Sequence, residues 1–255
     1  MFDINSFSLK NKVAIITGGA SGLGEYYSKA MLKVGAQVMV VARSDKGFDE
    51  LKNFAEENNA TVDFFIQDVT AADAPDNIVN ATIDRFGKID ILVNNAGMQL
   101  RNKWQEFKDE DWRKVINLNL NAVYFLSHAV AKSMAENGGG KIINIGSMQS
   151  FRAGKFIFPY TASKHGIVGL TKAYADALAP DNIQVNAIAP GYINTPMTKA
   201  LQNDPVRSKE ILEHIPVGHW ADPSELMGVA VFLASPASDY ITGTTIPVDG
   251  GYLLR

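Results

Sequence analysis

Tyr160, Lys164 and Ser147 are the residues whose types and spacing best suit proton-transfer chemistry. A tyrosine with a pKa near about 10 needs a shift of roughly 3 units to act as an acid or base near neutral pH. If residues 160–178 form a helix, Tyr160 and Lys164 lie on one face, so the ammonium can supply much of that shift. Ser147 would then hydrogen-bond a substrate oxygen. Alone, a tyrosine four residues before a lysine is more often an ordinary pair on an amphipathic helix.

A glycine-rich segment, Thr17 to Gly24, suits the binding of a pyrophosphate. It follows the apolar run 13–16 and precedes a helical pattern beginning near Leu23, which is the order strand, turn, helix. Glycines permit a tight turn, and the N–H groups of a helix N-terminus hold the anion. The spacing departs from the commoner G-x-G-x-x-G, and a plain glycine-rich turn is the alternative. The predicted dinucleotide contacts in this segment are Gly18, Ser21, Gly22, Leu23 and Gly24.

Further motifs follow at the ends of later apolar runs. Asn94-Asn95-Ala96-Gly97 follows the fourth run, and Pro190-Gly191 follows the sixth. With the glycine-rich segment and the set Ser147, Tyr160 and Lys164, they make the chain resemble the short-chain dehydrogenases/reductases over essentially its whole length. The resemblance implies a Rossmann-type fold and a nicotinamide-dependent oxidoreductase.

The resemblance implies a catalytic set of four residues. Tyr160 is the acid or base, and Lys164 lowers its pKa and holds the nicotinamide ribose. Ser147 orients the substrate carbonyl, and Asn119 anchors a water in a proton relay that also passes through Lys164.

Asn119 is the one member of this set for which neighbouring residues of the same type are alternative candidates. It is chosen over Asn117 and Asn121 because it fits the family's spacing from Trp112 and from the aromatic pair at 124 and 125. The alternative for each of these asparagines is a helix-capping or solvent-exposed role.

The resemblance also implies the rest of the dinucleotide site. Asp68 and Val69 match the position that holds adenine, residues 95–97 back the ribose, and Thr195 meets the nicotinamide amide. The predicted cofactor residues beyond the glycine-rich segment are Arg43, Asp68, Val69, Asn95, Ala96, Gly97, Tyr160, Lys164, Pro190, Gly191, Ile193 and Thr195.

The choice between NAD and NADP depends on the end of the second strand. An acidic residue there would bind the ribose 2′-hydroxyl of NAD, but this chain has Ala42-Arg43-Ser44. A guanidinium with no neighbouring carboxylate at that point favours the 2′-phosphate of NADP. Against this, Asp45 follows closely, and the subgroup that the chain resembles is generally NAD-linked. Arg43 as a solvated surface charge is the alternative.

Composition agrees with one α/β domain. The chain has 255 residues, 46% of them apolar, which suffices for one sizeable core, so we expect a single domain over residues 1–255. Its net charge of −3 and dispersed basic residues argue against a nucleic-acid surface. The chain has no cysteine, and its histidines lack a metal-binding spacing, so we expect no metal.

Targeting signals are not evident. Residues 1–9 include Asp3 and lack a basic end followed by an apolar stretch, unlike a signal peptide. No apolar run approaches the about 18 residues of a spanning helix, so we expect no membrane span and a cytoplasmic protein. Ser147 and Ser163 lack a G-x-S-x-G context, which argues against a hydrolase.

Short segments rich in valine or isoleucine alternate with helical patterns. This alternation predicts a doubly wound parallel sheet of seven strands with helices on both faces and ligands beyond the carboxyl ends of the strands. The predicted strands are residues 13–17, 37–42, 62–66, 89–93, 141–145, 184–187 and 245–248. The connection 192–219 breaks the alternation, and we interpret it as a mobile lid over the substrate. An ordinary surface excursion is the alternative.

Within the family, the chain most resembles a subgroup that acts on keto-deoxy sugar acids in the breakdown of uronates. The resemblance rests on residues 141–145, 147–151 and 188–193 and on Val248-Asp249-Gly250-Gly251 near the end. The predicted substrate-binding residues are Arg101, Gln149, Arg152, Tyr192 and Trp220.

A sugar acid needs a cation, and the chain departs from the subgroup at its cations. Arg101 stands where the subgroup has the second of two arginines, but the first is Leu100 here. Arg152 and Lys155 lie where the subgroup more often has uncharged residues, and His219 replaces an arginine. Each of these charges could simply be solvated.

Two other functions are weighed. One is a carbonyl reductase for another substrate, such as gluconate, an acyl-carrier ketone or a xenobiotic ketone. The other is a non-catalytic dinucleotide-sensing protein, which would have no need of the intact set Asn119, Ser147, Tyr160 and Lys164. The resemblance further implies a homotetramer.

Overall fold

The computed structural model describes residues 3–255, in which strands and helices alternate along the chain. The prediction about a leader at residues 1–9 also concerns Met1 and Phe2, which lie outside the described residues. The strands are β1 (Val13–Thr17), β2 (Gln37–Ala42), β3 (Val62–Ile66), β4 (Ile91–Asn94), β5 (Gly140–Ile145), β6 (Ile183–Pro190) and β7 (Thr245–Val248). The helices are α1 (Gly22–Lys33), α2 (Phe48–Glu57), α3 (Ala74–Phe86), α4 (Asp109–Ile116), α5 (Ala122–Glu136), α6 (Phe158–Leu178), α7 (Lys199–Gln202), α8 (Pro205–His214) and α9 (Met227–Ala234).

The seven strands form one parallel sheet in the order β3-β2-β1-β4-β5-β6-β7. The order reverses direction between β1 and β4, where Ile15 pairs with Leu92 on one side and with Met39 on the other. Ligands of such sheets bind beyond the carboxyl ends of the strands at this switch point. The predicted doubly wound parallel sheet is confirmed.

Helices cover both faces of the sheet, because alternate residues of its strands point to opposite sides. On one face, Ile16 of β1 packs with Tyr27 of α1 and Leu233 of α9. On the other face, Ile15 packs with Ile78 of α3 and Leu126 of α5. Among the described residues, no helix is both long and apolar enough to span a bilayer.

Three strands differ in extent from their predicted ranges, and the fifth differs only in starting at Gly140 rather than at residue 141. The fourth runs over Ile91–Asn94 rather than residues 89–93, because the Asp90 carboxylate accepts from the backbone of Val13 at 2.9 Å and fixes the chain before the strand begins. The sixth is longer than residues 184–187 and runs to Pro190, which pairs with Val248 of β7. The fourth and sixth strands therefore reach farther toward the carboxyl edge than the sequence indicated.

Helix α6 and a π-helical segment bring polar residues to this edge. Helix α6 begins at Phe158, two residues before the predicted start, with Pro159 in its first turn, where proline is favoured. Between α4 and α5, Asn117–Asn121 forms a π-helix, a rare conformation that is frequent at functional sites.

The connection 192–219 carries helices α7 and α8. Ile211 and Ile215, near the end of this connection, pack with Met148 and Tyr252 in a small separate core. The connection thus rests on the turn after β5 and on the C-terminal residues. Its mobility stays a prediction.

Candidate active site

A cleft of about 360 Å³ opens at the carboxyl edge of the sheet. It lies over the switch point, so the residues that follow β1, β4, β5 and β6 line it together. The predicted site residues that line the cleft are Gly18, Ser21, Gly22, Leu23, Asn95, Ala96, Gly97, Arg101, Ser147, Gln149, Tyr160, Lys164, Pro190, Gly191, Tyr192, Ile193 and Thr195. The predicted site residues outside this lining are Gly24, Arg43, Asp68, Val69, Asn119, Arg152 and Trp220.

Ser147 lies two residues beyond the end of β5, in extended conformation, and caps a short 3-10 turn. Its hydroxyl accepts from the backbone N–H of Gln149 at 3.1 Å. This bond holds the oxygen at the floor of the cleft. The hydroxyl hydrogen is left to donate to a substrate oxygen, because the bond with Gln149 uses only a lone pair.

Tyr160 and Lys164 lie one turn apart on α6, and the Lys164 amine is 5.6 Å from the centre of the Tyr160 ring. Burial raises the pKa of Tyr160, and interaction with the Ser147 hydroxyl works in the opposite direction. The predicted lowering by Lys164 is not among the effects on Tyr160 in the cofactor-free protein. Tyr160 is only half-buried, so water in the cleft moderates its shift.

Lys164 is 5% exposed and donates to the carbonyl oxygen of Ile145 at 2.5 Å. Burial lowers the pKa of its amine to about 8, because the charged form loses its hydration. Lys164 can therefore gain or lose a proton near neutral pH, which an exposed lysine does not do.

Asn119 is 1% exposed and sits in the π-helical segment. Its side-chain oxygen accepts from the backbone N–H of Met98, and its nitrogen donates to the carbonyl oxygen of Met98, both at 2.9 Å. The nitrogen also donates to the Ser163 hydroxyl at 3.3 Å. Both amide hydrogens are therefore in use, so the side chain fixes the loop after β4 rather than pointing free into the cleft.

The glycine-rich segment forms a cradle at the start of α1. Gly18 and Gly22 have φ of 65° and 54°, a backbone region that favours glycine. An added Cβ at Gly22 would meet nothing within 4 Å, whereas one at Gly24 would collide with the carbonyl oxygen of Gly18. Ser21 makes no side-chain capping bond to the first turn. The helix N-terminus thus presents its N–H groups to the cleft beside open space, which fits a pyrophosphate.

Asn95 joins the ends of β1 and β4. Its amide nitrogen donates to the carbonyl oxygen of Thr17 at 2.9 Å, and the Thr17 hydroxyl accepts from the backbone of Asn95 and Ala96 at 3.1 and 3.0 Å. These bonds hold the turn at residues 95–97 against the glycine cradle. Sequence analysis included Thr17 in the glycine-rich segment but gave its side chain no role.

The predicted adenine end lies beyond the cleft lining. The Asp68 carboxylate accepts from the backbone N–H of Thr70 at 2.9 Å and from its hydroxyl at 2.7 Å. These bonds lower the pKa of Asp68, and the positive charge of Arg43 adds to the effect. Arg43 and Asp68 thus interact electrostatically, and neither lines the cleft.

Arg101 and Tyr192 stand at the substrate end. One terminal nitrogen of Arg101 donates to the carbonyl oxygen of Lys155 at 2.9 Å. Burial chiefly lowers the pKa of Arg101; Tyr192 opposes this effect, and the Arg207 charge adds to it. Arg207, in the first turn of α8, is a second cation that sequence reasoning missed. Burial raises the pKa of Tyr192 to about 12, with Arg207 opposing.

Arg152 and Trp220 do not line the cleft. The Arg152 guanidinium lies over the Tyr252 ring, 4.8 Å from its centre. Trp220 packs edge to face on Tyr192, with 5.1 Å between ring centres, and its buried Nε1 has no hydrogen-bond partner. Both residues thus support the wall behind Tyr192 rather than contacting the space in front of it.

Gln149 lines the cleft beside these residues and is buried. The Gln149 amide makes two hydrogen bonds when its nitrogen donates to the carbonyl oxygens of Ala153 at 2.9 Å and Arg152 at 3.3 Å. The amide oxygen is then left for a ligand hydroxyl.

Several lining residues were missed by sequence reasoning. They are chiefly apolar or small, and no chemical signal distinguished them from core residues. They are Gln99, Ile145, Gly146, Met148, Ile157, Pro196, Met197, Thr198 and Leu201. Over residues 3–255, no group of three or more His, Cys, Asp or Glu side chains could hold a metal ion.

Comparisons with known proteins agree with this geometry. The family profile described as enoyl-(acyl carrier protein) reductase matches residues 18–253. An uncharacterised oxidoreductase of Escherichia coli (strain K12) is 47% identical over 255 residues, covering 100% of this chain and 97% of the relative. The 2-dehydro-3-deoxy-D-gluconate 5-dehydrogenase of Bacillus subtilis (strain 168) is 42% identical, with 98% of each chain covered.

A solved structure is similar over nearly the same extent. It is a gluconate 5-dehydrogenase of Burkholderia cenocepacia in complex with NADP and tartrate, 36% identical, with a TM-score of 0.94 and 98% of each chain covered. Full-length identity above 40% together with the family match shows the family directly. The chain belongs to the short-chain dehydrogenases/reductases and is a nicotinamide-dependent oxidoreductase.

Proposed function

We propose that this protein interconverts a ketone and a secondary alcohol on a sugar acid of the 2-keto-3-deoxygluconate type. The observation that carries the proposal is the pairing of a proton-transfer floor, made by Ser147, Tyr160 and Lys164, with a cationic wall at Arg101 in the same cleft. A hydroxylated carboxylate needs both parts. Relatives named for sugar-acid substrates support the class, including the B. subtilis dehydrogenase.

Each segment of the predicted cofactor site would hold a different part of the dinucleotide. Gly18, Ser21 and Gly22 would hold the pyrophosphate on the N-terminus of α1. Residues 95–97 would back the ribose next to this cradle, and Thr195 would reach the nicotinamide end from the residues after β6. When bound, the dinucleotide supplies or accepts the hydride.

The chain's own residues would move the proton. In the reducing direction, Ser147 and Tyr160 both donate hydrogen bonds to the substrate oxygen, and Tyr160 transfers its proton as that oxygen becomes negative. Lys164, with its pKa of about 8, is a nearby proton source that works near neutral pH. Asn119 would hold the loop after β4 in place through its bonds with Met98.

The substrate carboxylate would meet Arg101. Arg101 is an exposed residue of the cleft lining, and one of its terminal nitrogens donates to the backbone carbonyl of Lys155. The positive charge of Arg207, in α8, also lowers the pKa of Arg101, but the Arg207 guanidinium pairs with the Glu210 carboxylate at 2.5 Å and does not line the cleft. A substrate carboxylate at Arg101 would form a charge-assisted hydrogen bond there, which supports an anionic substrate.

NADP is the weakly preferred cofactor, because Arg43 follows β2 where an acidic residue would suit NAD. The relative from B. cenocepacia has NADP bound, which supports this choice. The resemblance to a generally NAD-linked subgroup argues against it.

A reductase for another carbonyl compound is the second candidate. Leu100 and His219 stand where the sugar-acid subgroup has arginines, and one relative at 37% identity is named 3-oxoacyl-[acyl-carrier-protein] reductase. A homotetramer is also proposed from the family resemblance, and the exposed aromatic side chains of Tyr124 and Phe125 on α5 are compatible with a subunit contact.

The deciding experiment follows the loss of reduced-nicotinamide absorbance with 3-deoxy-2,5-diketo-gluconate, using NADH and NADPH in parallel. Rapid turnover supports the sugar-acid assignment, and the ratio of rates tests the part of Arg43. Binding of both cofactors without turnover would reject this substrate and direct attention to the second candidate. Gluconate and an acyl-carrier ketone serve as comparison substrates.

A further inference from the structure

Ser150 connects two of the proposed catalytic residues through one hydroxyl. This side chain accepts from the backbone N–H of Ser147 at 3.2 Å and donates to the backbone carbonyl of Lys164 at 2.8 Å. Ser150 is 5% exposed, so water does not compete for either bond. The hydroxyl therefore connects the turn after β5 with the second turn of α6.

Ser163 makes a similar connection on the other side of α6. Its hydroxyl donates to the backbone carbonyl of Tyr160 at 2.8 Å and accepts from the Asn119 amide at 3.3 Å. Ser163 is fully buried. It joins α6 to the π-helical segment, and through Asn119 to the loop after β4.

The two bridges are complementary. Ser150 joins Ser147 with Lys164, and Ser163 joins Tyr160 with Asn119, so every member of the proposed catalytic set touches one bridge. Two of the bonds, from Ser150 to the Lys164 carbonyl and from the Asn119 amide to Ser163, cross between separate elements of the fold. The other two are local, within the turn after β5 and within α6. A misplacement of about 1 Å can cost roughly 100-fold in rate, so such links matter for chemistry.

We propose that Ser150 and Ser163 are positioning residues that set the distances among the four proposed catalytic residues. The inference rests on the catalytic roles proposed above. Each hydroxyl has used its one hydrogen as a donor and is buried, so neither is available to donate a hydrogen bond to substrate. They act through Ser147, Lys164, Tyr160 and Asn119 rather than on the reacting atoms.

The test replaces each serine by alanine. We expect kcat for Ser150→Ala and Ser163→Ala to fall about 10-fold or more, since losing a buried bond of this kind shifts a barrier by about one factor of ten. The dissociation constant of the reduced cofactor should change less than twofold. In Ser150→Ala, the alcohol-oxidation pH profile should move to higher pH, because a displaced Ser147 hydroxyl no longer lowers the pKa of Tyr160.

Ser238→Ala is the matched control. Its hydroxyl is fully buried and donates to the backbone carbonyls of Leu233 and Ser235, away from the cleft. We expect a loss of thermal stability like that of the two test variants, with kcat and the pH profile unchanged. Equal kcat losses in all three variants would mean that the serines matter only for stability.

A second pair of variants decides the question if an alanine variant fails to fold. Ser163→Thr and Ser163→Val have the same shape and differ in the hydroxyl, so we expect threonine to retain kcat and valine to lose about 10-fold. Equal rates in these two would overturn the inference. If Tyr160→Phe and Ser147→Ala themselves keep full turnover, the proposed function fails instead, and the two failures are thereby distinguished.

Discussion

Lys164 donates its amine hydrogen to the carbonyl oxygen of Ile145 at 2.5 Å, in a place where the lysine is 5% exposed. This one bond ties α6 to the end of β5 and fixes the amine in the cleft floor. A single carbonyl replaces only part of the hydration that an ammonium has in water, so the charged form is destabilised. Burial of the charged Lys164 side chain therefore lowers the free energy of unfolding, which is a cost to the stability of the protein.

That cost should depend on pH. The pKa of Lys164 is about 8 in the folded protein and 10.5 in the unfolded chain, so the unfolded chain binds more protons between these values. Stability must then rise with pH across that window. In cofactor-free protein, the free energy of unfolding of the wild type relative to Lys164→Met should increase by roughly 2 kcal/mol from pH 7 to pH 9.5.

Chemical denaturation at both pH values measures this difference. Lys172→Met, an exposed lysine on the same helix, is the control and should show no such pH dependence. The diagnostic quantity is the pH slope, because Lys164→Met also leaves the Ile145 carbonyl without its partner. A flat difference between wild type and Lys164→Met would show that the lysine keeps an ordinary pKa.

Tyr160→Phe should remove turnover while leaving the cofactor in place. Without the phenolic proton, general acid catalysis is lost, and we expect kcat to fall about 10²–10⁴-fold. Cofactor affinity, measured by fluorescence titration, should stay within a few-fold. Tyr174→Phe is matched, since Tyr174 lies on the same helix and bonds the carbonyl of Tyr124 at 3.3 Å. If both variants turn over alike, Tyr160 is not the acid.

The pH dependence of the two directions should be opposite. Burial raises the pKa of Tyr160, so the phenol is protonated at neutral pH and ready to donate to a ketone. Reduction should therefore be fast at and below neutral pH, whereas alcohol oxidation should rise about tenfold per pH unit until the site has ionised. Steady-state profiles in each direction check this, and parallel profiles would contradict it.

Arg43→Ala should discriminate between the two cofactors. If the guanidinium binds the 2′-phosphate, the dissociation constant of NADPH should increase roughly tenfold or more while that of NADH is unchanged. Lys52→Ala, an exposed cation on α2, controls for general loss of positive charge. An equal effect of Arg43→Ala on both cofactors would rule out phosphate binding.

Arg101→Ala and Arg207→Ala should raise the Michaelis constant for a sugar acid, with the larger effect at Arg101. A charge-assisted hydrogen bond contributes about 1.5–3 kcal/mol, which corresponds to roughly ten- to hundredfold for Arg101→Ala. A control substrate that lacks the carboxylate should show the same kinetics in both variants as in the wild type. Lys209→Ala, an exposed residue on the same helix as Arg207, serves as control. An unchanged Michaelis constant in Arg101→Ala removes this arginine from the site.

Much of the architecture could be predicted from sequence. Strand positions were recovered because a buried parallel sheet demands short runs of branched apolar residues. The strand ends were less accurate: β4 begins at Ile91 and β6 continues to Pro190, since pairing with neighbours, not local propensity, sets where a strand stops. No local pattern encodes that pairing.

The candidate site was predictable in a different way. Tyr160, Lys164 and the glycine cradle were found by spacing, because their chemistry requires a fixed offset along one helix or turn. Arg207 was missed because it comes to the substrate end through the packing of α8, far along the chain. Arg152 was predicted there, yet its guanidinium stacks on Tyr252, a contact between segments about 100 residues apart.

During synthesis, β1 can pair with β2, and β2 with β3, long before β4 has been made, because β4 pairs with β1 from later in the chain. All five residues of β1 are buried in the finished sheet. Because synthesis adds about 5–20 residues per second, the edge of β1 that pairs with β4 stays unpaired for several seconds. An unpaired apolar edge is a template for another chain, so misassembly of nascent chains should begin at β1. The permanent edges are β3 and β7, and Pro247 of β7 weakens pairing at that edge.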